Sequence, residues 1–338
     1  MQQVIDKLNK DRKEQWPEFF DAISRELAEL KYNLTEKLPI KSKLLSEIVK
    51  YVFTAGGKRL RPALCFLSAK ATGGVTDKHF ILAELTELIH TASLVHDDII
   101  DSAHLRRGEE TVNSLWNDKI SVITGDFLFG QASVKLGELE NTEIVKIYAN
   151  VLSDLCDGEI EQYSSKFDTK ISWEKYLYKS TAKTASLFAA ACKSAAILNN
   201  QSLEDIKLAN NFGLYLGIAF QIVDDTLDFT SNSIELGKAV ASDLKQGIIT
   251  APTLFALSAS DDRAKQIQAL IESRFNERED DFKKAINLVI ELEGCKKATI
   301  MAREYIDKAN ASLSFVKDRT LHTYLTNVCD YILSRLDR

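Results

Sequence analysis

Two stretches of this 338-residue sequence repeat one acidic spelling. Asp97, Asp98 and Asp101 lie in LVHDDIID, and Asp224, Asp225 and Asp228 lie in FQIVDDTLDF, so both read D-D-x-x-D. Residues four apart share a face of a helix, and each stretch therefore offers a carboxylate cluster. Like charges at that spacing destabilise a helix, and the preceding runs LIHTASLV and LGIAF read as buried, which counts against ordinary solvated helix ends. Carboxylates are hard oxygen ligands. Magnesium takes one or two of them together with waters and phosphate oxygens, so the pair of clusters suits Mg2+ bound to a diphosphate. An EF-hand is the rival for such acids, but the sequence has no D-x-D-x-D-G calcium loop.

Cations follow the same logic. Gly56-Gly57-Lys58-Arg59-Leu60-Arg61-Pro62 is a glycine pair followed by three basic residues, and Arg106-Arg107-Gly108 comes soon after the first acidic cluster. Lys183-Thr184 and Gly237-Lys238 supply further donors. Arginine forks and lysine ammoniums bind phosphate oxygens, and backbone N–H groups at a helix start add to them. Each group alone would read as solvated surface. In combination with two D-D-x-x-D clusters they read as a diphosphate site.

The elements that must carry these residues are helices. Glycine (14) and proline (4) are scarce for 338 residues, whereas a sandwich, barrel or doubly wound fold needs frequent turns. Apolar residues recur at helical spacing, as in Phe19, Ile23, Leu27 and Leu30, and the pattern predicts helices over 17–35, 40–54, 62–72, 77–102, 119–138, 142–166, 172–198, 203–231, 249–258, 262–274, 279–311 and 319–336. Ser202 followed by Asp205 resembles a capping box. Breaks fall at Gly56-Gly57, Gly73-Gly74, Arg107-Gly108 and 231–248. The net charge of −6 without a long basic stripe argues against nucleic acid. Five dispersed cysteines without C-x-x-C suggest neither a disulfide framework nor a zinc site and fit a reducing compartment. The charged N-terminus lacks an apolar targeting core, and the longest uncharged run, Leu208 to Val223, is 16 residues, so a soluble cytoplasmic protein is expected.

The segments GGKRLRP, LVHDDIIDSAHLRRG, KTASLF, FQIVDDTLDF and LGK stand in the order found in trans-type (all-E) polyprenyl diphosphate synthases, which the sequence resembles from about residue 40 onward. SDLKQGIITAP and KSTAKTASLF are most similar to the long-chain branch that makes quinone side chains, the solanesyl and octaprenyl type. The resemblance implies an all-α isoprenoid synthase fold, one domain over 1–338 with an N-terminal helical segment over 1–39, built as a large helical bundle around a central cavity. It also implies a homodimer.

By the same resemblance, Asp97 and Asp101 hold Mg2+ on the allylic diphosphate and Asp224, supported by Asp228, holds more, with about three ions in all. Asp98 and Asp225 stand behind these ligands. Lys58, Arg61, His90 and Arg107 would bind isopentenyl diphosphate. Arg106, Lys183, Thr184, Gln221 and Lys238 would face the allylic diphosphate. A histidine on an apolar helix is more often a satisfied core residue, but His90 matches the family in standing seven residues before Asp97. His96 reads as structural. The implied reaction is ionisation of the allylic diphosphate, condensation with isopentenyl diphosphate and loss of a proton, repeated in a dry cavity.

In short-chain members, bulky aromatics four and five residues before the first aspartate close the cavity. Here those residues are Ser93 and Ala92, and Ile89, Leu88 and Leu85 continue an aliphatic face for about 18 Å at 1.5 Å per residue. A product of C30 or longer is expected, with about C40 to C45 favoured, and Phe127 and Phe129 are candidates for the floor. A product so apolar implies transient membrane contact on release. Ala239-Val240 and Ile248 depart from the family, which usually has Pro-Ala and a Lys or Asn. Small Ala92 and Ser93 disfavour a farnesyl or geranylgeranyl synthase, GGKRLRP disfavours a class I terpene cyclase, and six intact aspartates disfavour a noncatalytic subunit of a heteromeric synthase.

Overall fold

The computed structural model describes residues 18–106, 108–230 and 240–337. Almost all of them are helical, as the scarcity of turn-formers requires. After a helical turn at Glu18–Asp21, α1 (Ser24–Tyr32) runs into a π-helical turn, Asn33–Lys37. Helix α2 (Lys43–Thr54) starts where the Ser42 hydroxyl accepts from Leu45 N–H, and it buries Ile48, Val49 and Phe53. Helix α3 (Leu60–Ala71) is buried on nearly every side, from Ala63 to Ala69. Helix α4 (Asp77–Ile100) is capped by Thr76 and His79 and carries the first acidic cluster at its far end.

A small ribbon follows, which helical periodicity did not foresee. Strands β1 (Leu105–Arg106) and β2 (Glu109–Glu110) pair antiparallel, Leu105 opposite Glu110 and Arg106 opposite Glu109. Gly108, at φ +82°, makes the turn. Helix α5 (Asp118–Glu138) packs on α4, and Gly125 makes the approach possible, because a Cβ there would collide with the His96 ring. Helices α6 (Thr142–Ser164), α7 (Trp173–Ser180), α8 (Ser186–Leu198) and α9 (Leu203–Thr230) come next. The expected helix over 172–198 is interrupted by a π-helical turn at Thr181–Ala185. The Ser202–Asp205 cap forms as expected: Asp205 N–H donates to the Ser202 hydroxyl, which bonds the Asp205 carboxylate at 2.9 Å.

Beyond residue 240, a helical turn at Ser242–Lys245 lies inside what was read as a break. It leads to α10 (Ala251–Leu257), α11 (Asp262–Glu272), α12 (Glu279–Glu291), α13 (Gly294–Ala311) and α14 (Arg319–Ser334). The single helix expected over 279–311 is two helices. Glu293 adopts φ 58°, and Gly294 lies so close to the Pro252 carbonyl that a side chain there would clash. Helix α9 is long and apolar enough to cross a membrane by length and composition, but half of its most apolar window is buried within the protein, as in a core helix.

The chain divides into two compact units. One comprises the described residues up to Asn150 with Leu187–Asn210 and Leu313–Val328; the other comprises Val151–Ser186, Asn211–Ser312 and the residues from Cys329 on. The core of the first is built from α3, α4 and α8, including Leu64, Phe66, Leu85, Leu88 and Phe188. That of the second includes Tyr176, Leu216, Ile222, Leu254 and Ala302.

Candidate active site

In the first unit the acidic cluster occupies the last turn of α4. Asp97 is half-buried, Asp101 is exposed, and Asp98 between them is buried. The Asp98 carboxylate accepts from Arg106 Nε at 2.7 Å, so strand β1 returns an arginine to the cluster it follows. A buried carboxylate requires such a partner, because desolvation otherwise opposes its charge. Beside Asp97, His96 Nε2 lies 3.1 Å from the Val122 carbonyl, to which only a protonated nitrogen can donate, and its ring meets that of Phe129 at 5.7 Å. Phe129 is therefore level with the aspartate end of α4. Phe127 is half-buried on the same helix, α5.

The cations after Gly56-Gly57 divide into two roles. Arg59 is structural: it starts α3 in the left-handed conformation, donates to the Phe53 carbonyl at 2.7 Å and lies near Glu87. Burial opposes its charge and lowers its pKa, with Glu87 countering. Arg61 and His90, two of the residues expected on isopentenyl diphosphate, are brought together, with Arg61 Nη1 3.1 Å from His90 Nε2. Arginine has only donors, so His90 Nε2 accepts and its proton sits on Nδ1. The Arg61 guanidinium also stacks on Phe188, 4.6 Å from the ring centre. Lys58 is half-buried nearby in sequence, and Arg107 lies outside the described residues. Ala92, Ile89, Leu88 and Leu85 are fully buried, whereas Ser93 is half-buried and donates to the His90 carbonyl.

In the second unit every carboxylate of the cluster on α9 has a protein partner. Asp224 Oδ1 accepts from Arg335 Nη2 at 2.6 Å, and the same guanidinium lies 4.8 Å from the Phe220 ring centre, one turn earlier on α9. Asp225 is buried and accepts from Tyr176 OH at 2.6 Å, Gln221 Nε2 at 2.8 Å and Ala251 N–H at 3.4 Å. Burial still raises its pKa, although Tyr176, Gln221 and Lys179 oppose the shift. Asp228 accepts from the Ser242 hydroxyl at 2.7 Å and Asp243 N–H at 3.0 Å, so it anchors the Ser242–Lys245 turn.

The donors expected on the allylic diphosphate join this network. Thr184 donates to Gln221 Oε1 at 2.6 Å, which leaves the Gln221 amide nitrogen for Asp225. Lys183 pairs with Glu159. The π-helical turn brings Lys183 against α6 at Gly158, where an added Cβ would come within 2.9 Å of Ala182 and Lys183 side-chain atoms. Lys179, one turn before Lys183, is buried; burial lowers its pKa and Asp225 opposes that shift. Lys238, Gly237 and Ala239 lie outside the described residues, Val240 is half-buried, and Ile248 is a buried apolar residue.

Three further residues join this arrangement. Arg335 has no signal in the motifs, being remote in sequence from Asp224. Lys179 opens KSTAKTASLF and Tyr176 stands just ahead of it, both at helical spacing from Lys183, which could have flagged them. The donor chemistry fits a divalent cation: the clusters offer hard carboxylate oxygens, and waters and substrate oxygens would complete the shell of such an ion.

Two helix-borne D-D-x-x-D clusters, one meeting Arg106 and the other Arg335, define a helical protein whose carboxylates suit a divalent cation with a diphosphate. The Polyprenyl synthetase family model matches residues 42–289, and the chain belongs to that family. It is 41% identical over 323 residues to solanesyl-diphosphate synthase 2, chloroplastic, of Oryza sativa subsp. japonica, covering 94% of this chain and 79% of that one. It is 41% identical to a prenyl transferase of Synechocystis sp., covering 94% and 98%. The structure resembles a decaprenyl diphosphate synthase from Rhodobacter capsulatus, with TM-score 0.88, 30% identity and coverage of 94% and 98%. It also resembles a polyprenyl synthase from Caulobacter crescentus complexed with calcium and isoprenyl diphosphate, with TM-score 0.88, 31% identity and coverage of 94% and 96%. The all-α isoprenoid synthase fold expected from the sequence is thus the fold observed, and the chain is an enzyme of the long-chain trans-prenyltransferase type.

Proposed function

We propose that the protein condenses isopentenyl diphosphate repeatedly with an allylic prenyl diphosphate to give an all-trans polyprenyl diphosphate of C30 or longer, with about C40 to C45 favoured. The observation that carries this reading is that the residues in the turns of α4 before the D-D-x-x-D cluster, Ala92, Ile89, Leu88 and Leu85, are small or aliphatic and fully buried, with no aromatic among them. The relatives named as solanesyl and decaprenyl diphosphate synthases support the long-chain assignment.

Asp97, Asp101, Asp224 and Asp228 are the residues that would hold Mg2+, about three ions by family resemblance. Bound there, the metal would offset negative charge as diphosphate departs. The chain's own contributions are distinct. Arg61 and the neutral His90 grip the isopentenyl diphosphate with Lys58 and Arg107. Lys183, Thr184, Arg106, Gln221 and Lys238 orient the allylic diphosphate. Asp98 and Asp225 hold Arg106 and Gln221 in place. The buried aliphatic face of α4 excludes water from the allylic cation, which water would quench. The released diphosphate takes the final proton.

The family match runs through residues of both compact units, which supports reading the chain as one catalytic domain. A homodimer in the cytoplasm that meets a membrane transiently to release product completes the proposal. Purified protein incubated with isopentenyl diphosphate, farnesyl diphosphate and Mg2+ should yield elongated products that vanish with chelator. Absence of any metal-dependent product would defeat the assignment, and a C15 or C20 end product would return it to the short-chain class.

A further inference from the structure

Backbone strain in the second unit gathers around the turn that holds Asp228. Among the described residues, eleven other than glycine have a positive φ, and six of them belong to one assembly. They are Phe167, at φ 62°, Ala241, at φ 54°, and the run Arg274, Phe275, Asn276 and Glu277, at φ 50°, 58°, 48° and 55°. Left-handed backbone is unfavourable for L-residues, and only Asn276 is of a type that tolerates it well. Four such residues in succession persist only where their surroundings fix them. The run between α11 and α12 is fixed by aromatic contacts. Phe275 is buried, 5.3 Å from the Phe282 ring and 6.4 Å from that of Phe167, and the Arg274 guanidinium lies 5.1 Å from the Phe167 ring centre.

Phe167 passes this support on. Its N–H donates to the Gly247 carbonyl at 2.7 Å, and a Cβ on Gly247 would collide with its ring. Gly247 N–H donates to the Leu244 carbonyl and Ile248 N–H to that of Asp243, both at 2.9 Å, which closes the Ser242–Lys245 turn. That turn delivers the Ser242 hydroxyl and the Asp243 N–H to the two Asp228 carboxylate oxygens, and Ala241 N–H donates to the Asp228 carbonyl at 2.6 Å. We propose that Phe167 is a positioning residue for the second acidic cluster: braced by Arg274 and Phe275, it holds Gly247 and the Ser242–Lys245 turn so that the Asp228 carboxylate keeps one orientation. This role rests on the reading of Asp228 as a residue that holds Mg2+. Strain opposes stability, so its concentration beside a candidate ligand places it with function. Groups that hold the oxygens of a metal ligand set its orientation, and their loss typically lowers metal affinity tenfold or more.

The test uses Phe167→Leu, which keeps apolar bulk but loses the flat ring. In the metal-free protein, hydrogen exchange followed by mass spectrometry should be about tenfold faster over Ser242–Ile248 and unchanged in α4. The same variant should raise the Mg2+ concentration for half-maximal rate and the KM for farnesyl diphosphate by about tenfold, and leave the KM for isopentenyl diphosphate as it is. Phe167→Tyr, which keeps the ring, should restore wild-type behaviour. A lower melting temperature with exchange over the turn unchanged would overturn the role, because the ring would then serve stability alone. Faster exchange without a change in Mg2+ requirement would overturn it as well. Asp228→Asn separates the role from the reading beneath it. If Asp228→Asn raises the Mg2+ requirement and Phe167→Leu does not, Asp228 still holds metal and Phe167 does not position it. If Asp228→Asn leaves the requirement unchanged, the metal reading falls and the positioning role with it. Should Phe167→Leu fail to fold, Phe275→Leu, which withdraws only the brace, decides by the same measurements.

Discussion

Asp98 and Asp225 hold the same place in the two D-D-x-x-D clusters, and both are buried, yet they are satisfied by different chemistry. Asp98 is met by a cation, Arg106, supplied by the ribbon that follows α4. Asp225 is met mainly by neutral donors from α7, its own helix and the start of α10. The flanking aspartates differ too. Asp101 is exposed at a helix end, whereas Asp224 and Asp228 are engaged by Arg335 and by the Ser242–Lys245 turn. One motif is thus embedded in two ways: the first cluster presents carboxylates, and the second also ties several elements together.

If that contrast is right, substitutions in the two clusters should fail in different ways. Asp101→Ala should give the largest effect on activity, lowering kcat about 10²–10³-fold, the scale seen when one electrostatic contact to a transition state is removed. The melting temperature should hardly move. Steady-state kinetics beside calorimetry would show it, and a matching loss of stability would erase the distinction. Asp225→Ala should do the reverse, destabilising the protein by about 3 kcal/mol because Tyr176 and Gln221 are left with buried donors and no acceptor.

A finer break uses the neutral isostere. Asp98→Asn strands the charge of Arg106 and should cost about 2 kcal/mol, whereas Asp225→Asn keeps an acceptor among neutral donors and should cost less. Denaturant unfolding of both variants compares them directly. Equal costs would mean that the two sites are satisfied alike.

The contrast was only half legible in sequence. Apolar periodicity and the glycine breaks placed the long helices, and the i, i+4 spacing placed the aspartates on their faces. Three things escaped because they depend on contacts between distant residues. The Glu293–Gly294 break that splits α12 from α13 is set by how closely the chain passes Pro252. The π-helical turn at Thr181–Ala185 is tied to the close approach at Gly158. Arg335 reaches Asp224 with no motif to announce it. Arg59 shows the opposite error of emphasis: it stands between Lys58 and Arg61 in the basic run, yet it supports the backbone. Charge patterns identify candidates, and burial then divides them.

The Asp224–Arg335 pair should matter less for stability than Asp98–Arg106, since both of its side chains are partly exposed and such pairs contribute about 1 kcal/mol or less. A double-mutant cycle of Asp224→Asn and Arg335→Ala should give a coupling of that size. A coupling well above the Asp98–Arg106 value would reverse the order that burial predicts.

The smallest effect is expected at Asp261, where an Asp–Arg pair stands on the surface without chemistry to perform. Its carboxylate caps α11 and accepts from Arg263 through the side chain and through the backbone N–H. The Arg263 guanidinium first, and its N–H second, hold the Asp261 pKa down from 3.8 to about 2. A folded-state pKa below the unfolded value means that the unfolded chain binds the proton more readily. The contribution is therefore in place above about pH 4 and is lost as pH falls toward 2. Arg263→Ala removes the larger cause and leaves the backbone bond, so a carboxyl-carbon NMR titration should show the Asp261 pKa rising part of the way to its ordinary value. No rise would mean that the helix start alone holds the charge, and the arginine pairing that distinguishes Asp98 from Asp225 would then need the same scrutiny.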